Sequence, residues 1–205
     1  MANLALILTI SCFFASTLSV DARRIRSIAE DETKFLGSAC SEKEKLIKLH
    51  FFVQDLGVNH PHTTTYDVAE ASITANSATG FGKVRVIDDL VTAEADANSR
   101  PLGRAQGLVT KSDLNTIGIT MNINIYFTSG QFAGSTLSIL GRNEINDDQR
   151  ELVVAGGTGV FRFAHGYALQ STAAFGQDLS VLEYYVFTTS GPKFVDLDDV
   201  EVVAM

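Results

Sequence analysis

Residues 119 to 127 alternate without a break: Ile119, Met121, Ile123, Ile125 and Phe127 are apolar, and Thr120, Asn122, Asn124 and Tyr126 carry polar groups. Only an extended chain sends successive side chains to opposite faces, so this period of two predicts a β-strand with one face in a core and the other toward water. From Leu46 onward similar β-rich segments recur between glycine or polar turns. The spacing predicts strands over 46–55, 64–74, 82–92, 102–111, 119–127, 134–142, 151–155, 167–173 and 180–189, eight or nine in all, with few helices. A sheet of that size without helices to cover it most economically closes on itself, leaving no unpaired edge. The expected fold class is all-β, an eight-stranded antiparallel β-barrel with a short N-terminal arm. Its interior or mouth suits a small, largely apolar ligand fixed by a few polar groups.

A chain of 205 residues, 45% hydrophobic and 20% charged, supports one well-formed core and not two. Residues 1–22 stand apart, with an apolar run from Leu4 to Phe14, the small residues Ala15, Ser16 and Ser19, and a cleavage-like Val20-Asp21-Ala22. That pattern reads as a secretory signal peptide, with a retained membrane anchor as the alternative; the run is short for a bilayer span. Residues 23–44, with Arg23, Arg24 and Arg26, read as a loose arm, 45–190 as the barrel domain, and 191–205, with Asp196, Asp198, Asp199 and Glu201, as an acidic tail. Loss of the leader removes Cys12 and leaves Cys40 alone, either a buried small hydrophobe or an intermolecular partner. No Asn-x-Ser/Thr sequon is present. The net charge of −8, or −7 once Asp21 leaves with the leader, argues against nucleic acid as a partner, since phosphates repel an acidic surface.

The segment AGGTGVFRFAHGY, 155–167, departs from ordinary strand or helix patterns and predicts a sharp corner between two strands. Phosphate-binding readings fail on missing residues. Residues 156–163 contain no lysine for a Walker loop, and Arg162 stands where a dinucleotide fingerprint needs a third glycine. His60 and His62 flank Pro61 in a His-x-His spacing, but Asn59 and Pro61 favour a plain turn and no further ligand is evident, so no metal is expected. No Gly-x-Ser-x-Gly elbow exists, and Cys40 has no histidine tied to it by motif, so a nucleophilic hydrolase is not supported.

Proton chemistry has better candidates. Asp88 and Asp89 are adjacent on a strand, so at most one faces a cavity. Asp55 ends the first strand on the face of Phe51 and Val53. If that face is interior, its carboxyl has a raised pKa and can exchange a proton with a phenolic ligand; if not, it caps the turn toward Gly57. His165, inside the glycine-rich corner, is the more interesting histidine.

Five segments occur in a recognisable order: HFFVQDLG (50–57), FGKVRVIDDLVT (81–92), GRAQG (103–107), FAGSTLSILGRNE (132–144) and GGTGVFRFAHGY (156–167). Together they resemble the plant dirigent proteins over about residues 45–190. The resemblance implies an eight-stranded barrel of the allene-oxide-cyclase-like kind, secreted to the cell wall space (the apoplast) and associating as a homo-oligomer, a trimer or a dimer. It implies a non-oxidising guide without a cofactor, one that orients phenoxy radicals, for example from coniferyl alcohol in lignan formation, supplied by an external laccase or peroxidase. Proximity and orientation would then set the stereochemistry.

Carried onto this sequence, the resemblance makes Asp55 and His165 acid/base candidates. Phe51, Val53, Asp89, Arg104, Val160 and Phe163 become candidates for contact with substrate. Val160 and His165 stand where lignan-forming members often carry an acid and an arginine, and Leu108, Val109 and Thr110 occupy the segment where those members often have a tyrosine. The version of the fourth motif, GSTLSILGRNE, resembles the branch whose members act on other phenolics or cyclise isoflavonoid alcohols. Three functions stand open on the sequence: the radical-coupling guide, a cyclase or dehydratase acting on a closed-shell isoflavonoid or related phenolic, and a wall-associated binding protein without product control. The glycine-rich corner is expected at the barrel mouth.

Overall fold

The computed structural model describes residues 45–176 and 178–190. The predicted leader, the arm with Cys40 and the acidic tail lie outside the described residues. The elements are β1 (Leu46–Leu56), β2 (Thr65–Ala69), β3 (Val84–Thr92), β4 (Pro101–Lys111), β5 (Gly118–Phe127), β6 (Thr136–Glu144), β7 (Gln149–Thr158), β8 (Gly166–Phe175) and β9 (Leu179–Thr189). All neighbouring strands are antiparallel, in the order β1-β9-β8-β7-β6-β5-β4-β3, and β1 returns to pair with β3. The result is a closed eight-stranded barrel, with β2 as an extra strand against β3. Among the described residues the only helical turns are three short 3-10 segments.

The alternation that predicts β5 is obeyed in space: Met121, Ile123, Ile125 and Phe127 are buried and the polar residues between them are exposed. Leu49, Phe51 and Val53 of β1, Leu137 and Ile139 of β6, Leu152 and Val154 of β7, and Tyr184 and Val186 of β9 meet them in one core. Two strands differ most from expectation. The second strand stops at Ala69, because Ala71 and Thr74 bond each other in a turn that leads into the 3-10 segment Thr74–Asn76. The seventh runs from Gln149 to Thr158 and so includes Gly156 and Gly157. Part of the glycine run is therefore strand, accommodated by a bulge: Ser138 pairs with Gly156 and Ile139 with Val154, leaving Ala155 as the extra residue.

The barrel is closed unevenly. β1 pairs with β9 along its whole length, from Leu46↔Thr189 to Leu56↔Leu179. With β3 it shares only Phe52↔Thr92, Val53↔Val91 and Gln54↔Leu90. Beyond that point β2 takes over the edge of β3, starting at Thr65↔Ile87. The fork between β1 and β2 opens where Asp55 and Asp89 sit, one step past Gln54↔Leu90.

Candidate functional site

At this forked end the barrel encloses a chamber of about 530 Å³. Ile87, Val109, Ile119, Met121 and Leu182 form its apolar wall, and Asp55, Asp89, Asn143, Arg150 and Gln170 supply polar groups. The size and the mixture suit one small organic ligand.

Thr65, the first residue of β2, and Thr64 just before it fill the fork. Thr64 Oγ1 donates to Asp89 Oδ1 at 2.5 Å, and Thr65 Oγ1 donates to Asp55 Oδ1 at 2.9 Å. Asp89 is only 2% exposed. Burial pushes its carboxyl up to about 8, the neighbouring Asp55 carboxylate adds to the rise, and the Thr64 hydrogen bond and Arg104 pull against it. At neutral pH Asp89 therefore holds its proton beside a second carboxyl group, the arrangement a proton donor and acceptor pair requires. Asp88, the next residue, faces outward and binds Arg104 Nε at 2.7 Å, so strand alternation splits the pair into one buried acid and one surface ion pair.

A second polar cluster lies across β6, β7 and β8. Arg150 donates to Gln170 Oε1 at 3.2 and 3.3 Å, to Thr172 Oγ1 at 3.0 Å and to the Asp147 carbonyl at 3.0 Å. Gln170 Nε2 donates to the Tyr184 hydroxyl, and Asn143 Nδ2 donates to Gln170 Oε1. Burial raises the Tyr184 phenol above its ordinary pKa and lowers Arg150. Phe51 stacks on Tyr184 with centroids 5.3 Å apart. Asn143, 3% exposed, keeps one atom without a partner: its Oδ1 accepts no hydrogen bond from the protein. A buried acceptor left open beside a cavity is costly unless something from the cavity meets it.

The residues singled out in the sequence divide between two ends of the barrel. Asp55 and Asp89 line the chamber. Phe51 and Val53 share the inward face with Asp55 but are packed in the core outside the chamber lining. Arg104 is on the outer surface with Asp88, because it alternates with the inward Ala105. Val160, Phe163 and His165 lie at the opposite end, where the chain leaves β7 and enters β8, and the expectation that the glycine-rich corner forms the mouth is corrected. There Phe161 packs against Phe127 and Phe132 at centroid distances of 5.5 and 5.1 Å and plugs the barrel. The glycines serve that plug. A Cβ on Gly157 would stand 2.2 Å from the Thr136 carbonyl and 2.7 Å from Phe161 Cβ, and Gly159, at φ +62°, turns the chain beside Ser135. His60 and His62 form a turn in which the His62 amide donates to His60 Nδ1 at 3.0 Å.

Arg150, Gln170 and the two threonines lie outside the recognised segments, and Asn143 lies within FAGSTLSILGRNE on the inward face with Leu137 and Ile139. Arg150 lies one residue before the predicted strand 151–155, and inward alternation carried back from Leu152 and Val154 points to it.

A small antiparallel barrel plugged at one end and holding a buried acid in a chamber at the other is a ligand-enclosing barrel. The comparisons place it more narrowly. A family model described as Dirigent-like protein matches residues 46–189. Dirigent protein 11 of Arabidopsis thaliana is 41% identical over 188 residues, covering 91% of this chain and 95% of that protein. Pterocarpan synthase 1 of Glycine max is 38% identical over 148 residues, 71% of this chain and 79% of that protein. Among solved structures, the pterocarpan synthase dirigent protein PsPTS1 is 36% identical with a TM-score of 0.67, covering 74% of this chain and 99% of that one. The chain belongs to the dirigent family.

Proposed function

We propose that the protein binds a phenolic in the forked-end chamber and fixes the stereochemistry of its ring closure by passing a proton through the Asp89–Asp55 pair. The observation that carries this reading is the protonated, buried Asp89 beside Asp55 at the edge of an apolar chamber. A phenolic alcohol bearing a hydroxyl on the carbon next to its ring needs an acid to protonate that hydroxyl so that it departs as water. The cation left behind delocalises to the ring oxygen as an O-protonated quinone methide, and a second hydroxyl of the same molecule closes on it and loses a proton to the carboxylate. Asp89 supplies the acid and Asp55 the acceptor. The open Asn143 Oδ1 takes a hydroxyl of the substrate, and the Arg150 charge favours an oxygen that carries electron density. The walls decide which face of the planar intermediate is attacked. The names of two relatives, pterocarpan synthases, agree with a closed-shell cyclisation.

The same pair serves the radical-coupling reading. Two phenoxy radicals supplied by an external oxidase join to a quinone methide, whose closure is again a proton transfer. Secretion to the apoplast and homo-oligomeric assembly belong to this proposal, supported by the apolar run at residues 4–14 and by family membership.

Chiral chromatography separates the two. Purified protein is incubated with an isoflavanol and no oxidase, and in parallel with coniferyl alcohol and laccase. Enantiomerically enriched cyclised product in the first tube, lost in Asp89→Asn, supports the cyclase. Enrichment in the second tube alone moves the function to radical coupling. Racemic products in both sink the proposal.

A further inference from the structure

The chamber wall where β3 meets β4 carries a charge that the proton chemistry above does not use. Lys111 ends β4 two residues beyond Val109, and both line the chamber. Three cations stand at this corner against two carboxylates. Asp67 bonds both Lys83, at 2.8 Å, and Arg85, and Glu70 bonds Lys83 again at 2.7 Å. Among the described residues no carboxylate lies within ion-pair distance of the Lys111 ammonium.

Its seat is defined. The Lys111 side chain lies along Gly80, where an added Cβ would come within 3.0 Å of both Lys111 Cδ and Nζ. Arg85, paired across the ladder with Val109 and held by Asp67, stands on the same wall. The rim acids Asp147 and Asp148 belong to the β6–β7 turn next to Arg150, and the apolar Ile119, paired with Lys111 on one side and with Asn143 on the other, separates that side from Lys111.

We infer that Lys111, with Arg85 beside it, is a specificity-determining site for a carboxylate or similar anionic substituent on the phenolic ligand, at the end remote from the reacting carbon. An ammonium at the edge of an apolar wall, unmatched by any carboxylate of the described residues, gains most from an anion the ligand brings into the same partly dry space. The separation sets the size. Six residue steps along β4, about 20 Å at the rise of an extended chain, separate Lys111 from Ala105, the residue opposite Asp89. A ligand that touches both ends has more than one ring. This inference rests on the phenolic reading of the chamber and adds the substrate's charge to it.

The test is a matched pair: the 7-O-carboxymethyl ether of an isoflavone and its neutral methyl ester, titrated calorimetrically into the full-length protein at low and at high salt. The expected result is about tenfold tighter binding of the acid, a difference of roughly 1.4 kcal/mol. The preference should shrink at high salt, disappear in Lys111→Met and survive in Lys111→Arg. The salt series in the unmodified protein gives a readout that needs no variant. Equal binding of acid and ester keeps the phenolic reading and overturns this inference, as does a preference that persists in Lys111→Met. Binding of neither overturns both.

Discussion

The two ends of the barrel are made by the same eight strands and bury opposite things. At the β7–β8 end, Phe127, Phe132 and Phe161 fill the opening with rings, and Phe161 has no exposed surface. At the other end the strands enclose open space, an acid, a guanidinium and an amide oxygen without a partner. Close packing of apolar groups stabilises a fold, whereas a cavity and buried polar groups cost stability. A protein that plugs one end and leaves the other hollow has separated a part that holds it together from a part with room for a ligand.

The sharpest way to break this division is Asp89→Asn. Removing the acid should lower the rate of product formation by roughly 10²–10⁴-fold while the protein stays folded, as measured by single-turnover assay and thermal melt. A variant that keeps its rate moves the chemistry away from the fork. Next comes Phe161→Ala, which should cost about 3–5 kcal/mol in denaturant unfolding and leave the product's enantiomeric ratio unchanged. A changed ratio would tie the plug to the site.

The pH dependence of stability sharpens the contrast further. Asp89 keeps its proton in the folded protein up to about 8, while in the unfolded chain it releases it near 3.8. Between those values the folded state binds the extra proton, so stability is full below about pH 4 and falls as pH rises toward 8. Melting temperature should therefore drop from pH 5 to pH 8, and Asp89→Asn should flatten that slope. The smallest effects belong to the outer surface and to His165 in the corner beside the plug. Arg104→Ala removes an exposed ion pair worth about 0–1 kcal/mol, and His165→Ala should leave the product ratio unaltered in the same chromatographic assay.

Much of the barrel was legible because one face of each strand is wet. Ile119 to Phe127 announces β5 without help, and alternation alone says that Asp88 and Asp89 part company, though not which of them goes inside. That choice depends on Val91 and Ile87, whose inward direction is set by the closure with β1 and by β2. Gln54 breaks the pattern for a different reason. It is buried on the outer face, donating to Thr92 Oγ1 and the Ala95 carbonyl, a cover supplied by a distant loop. The site was harder to read. Asn143, Arg150 and Gln170 are ordinary surface residues in composition terms and become a cluster only when β6, β7 and β8 curl. Val160, Phe163 and His165 lie at the plugged end, since a glycine-rich motif marks a tight backbone, and a tight backbone serves a plug as well as a mouth.

The uneven closure of β1 has a kinetic consequence. β2 to β9 follow one another in sequence as neighbouring strands, each able to dock on the one before it, whereas β1 must find β9 across almost the whole domain and then touch β3 through three residue pairs. Joints between sequence-distant strands form late, since loop entropy must be spent before the contact rewards it. On this hypothesis β1 joins β9 only in the last step of folding, so the chamber lacks its Ser180 and Leu182 wall beside Asp55 until the barrel is shut. Pulse-labelled hydrogen exchange during refolding would show β5 and β6 amides protected before those of β1, and simultaneous protection would refute the order.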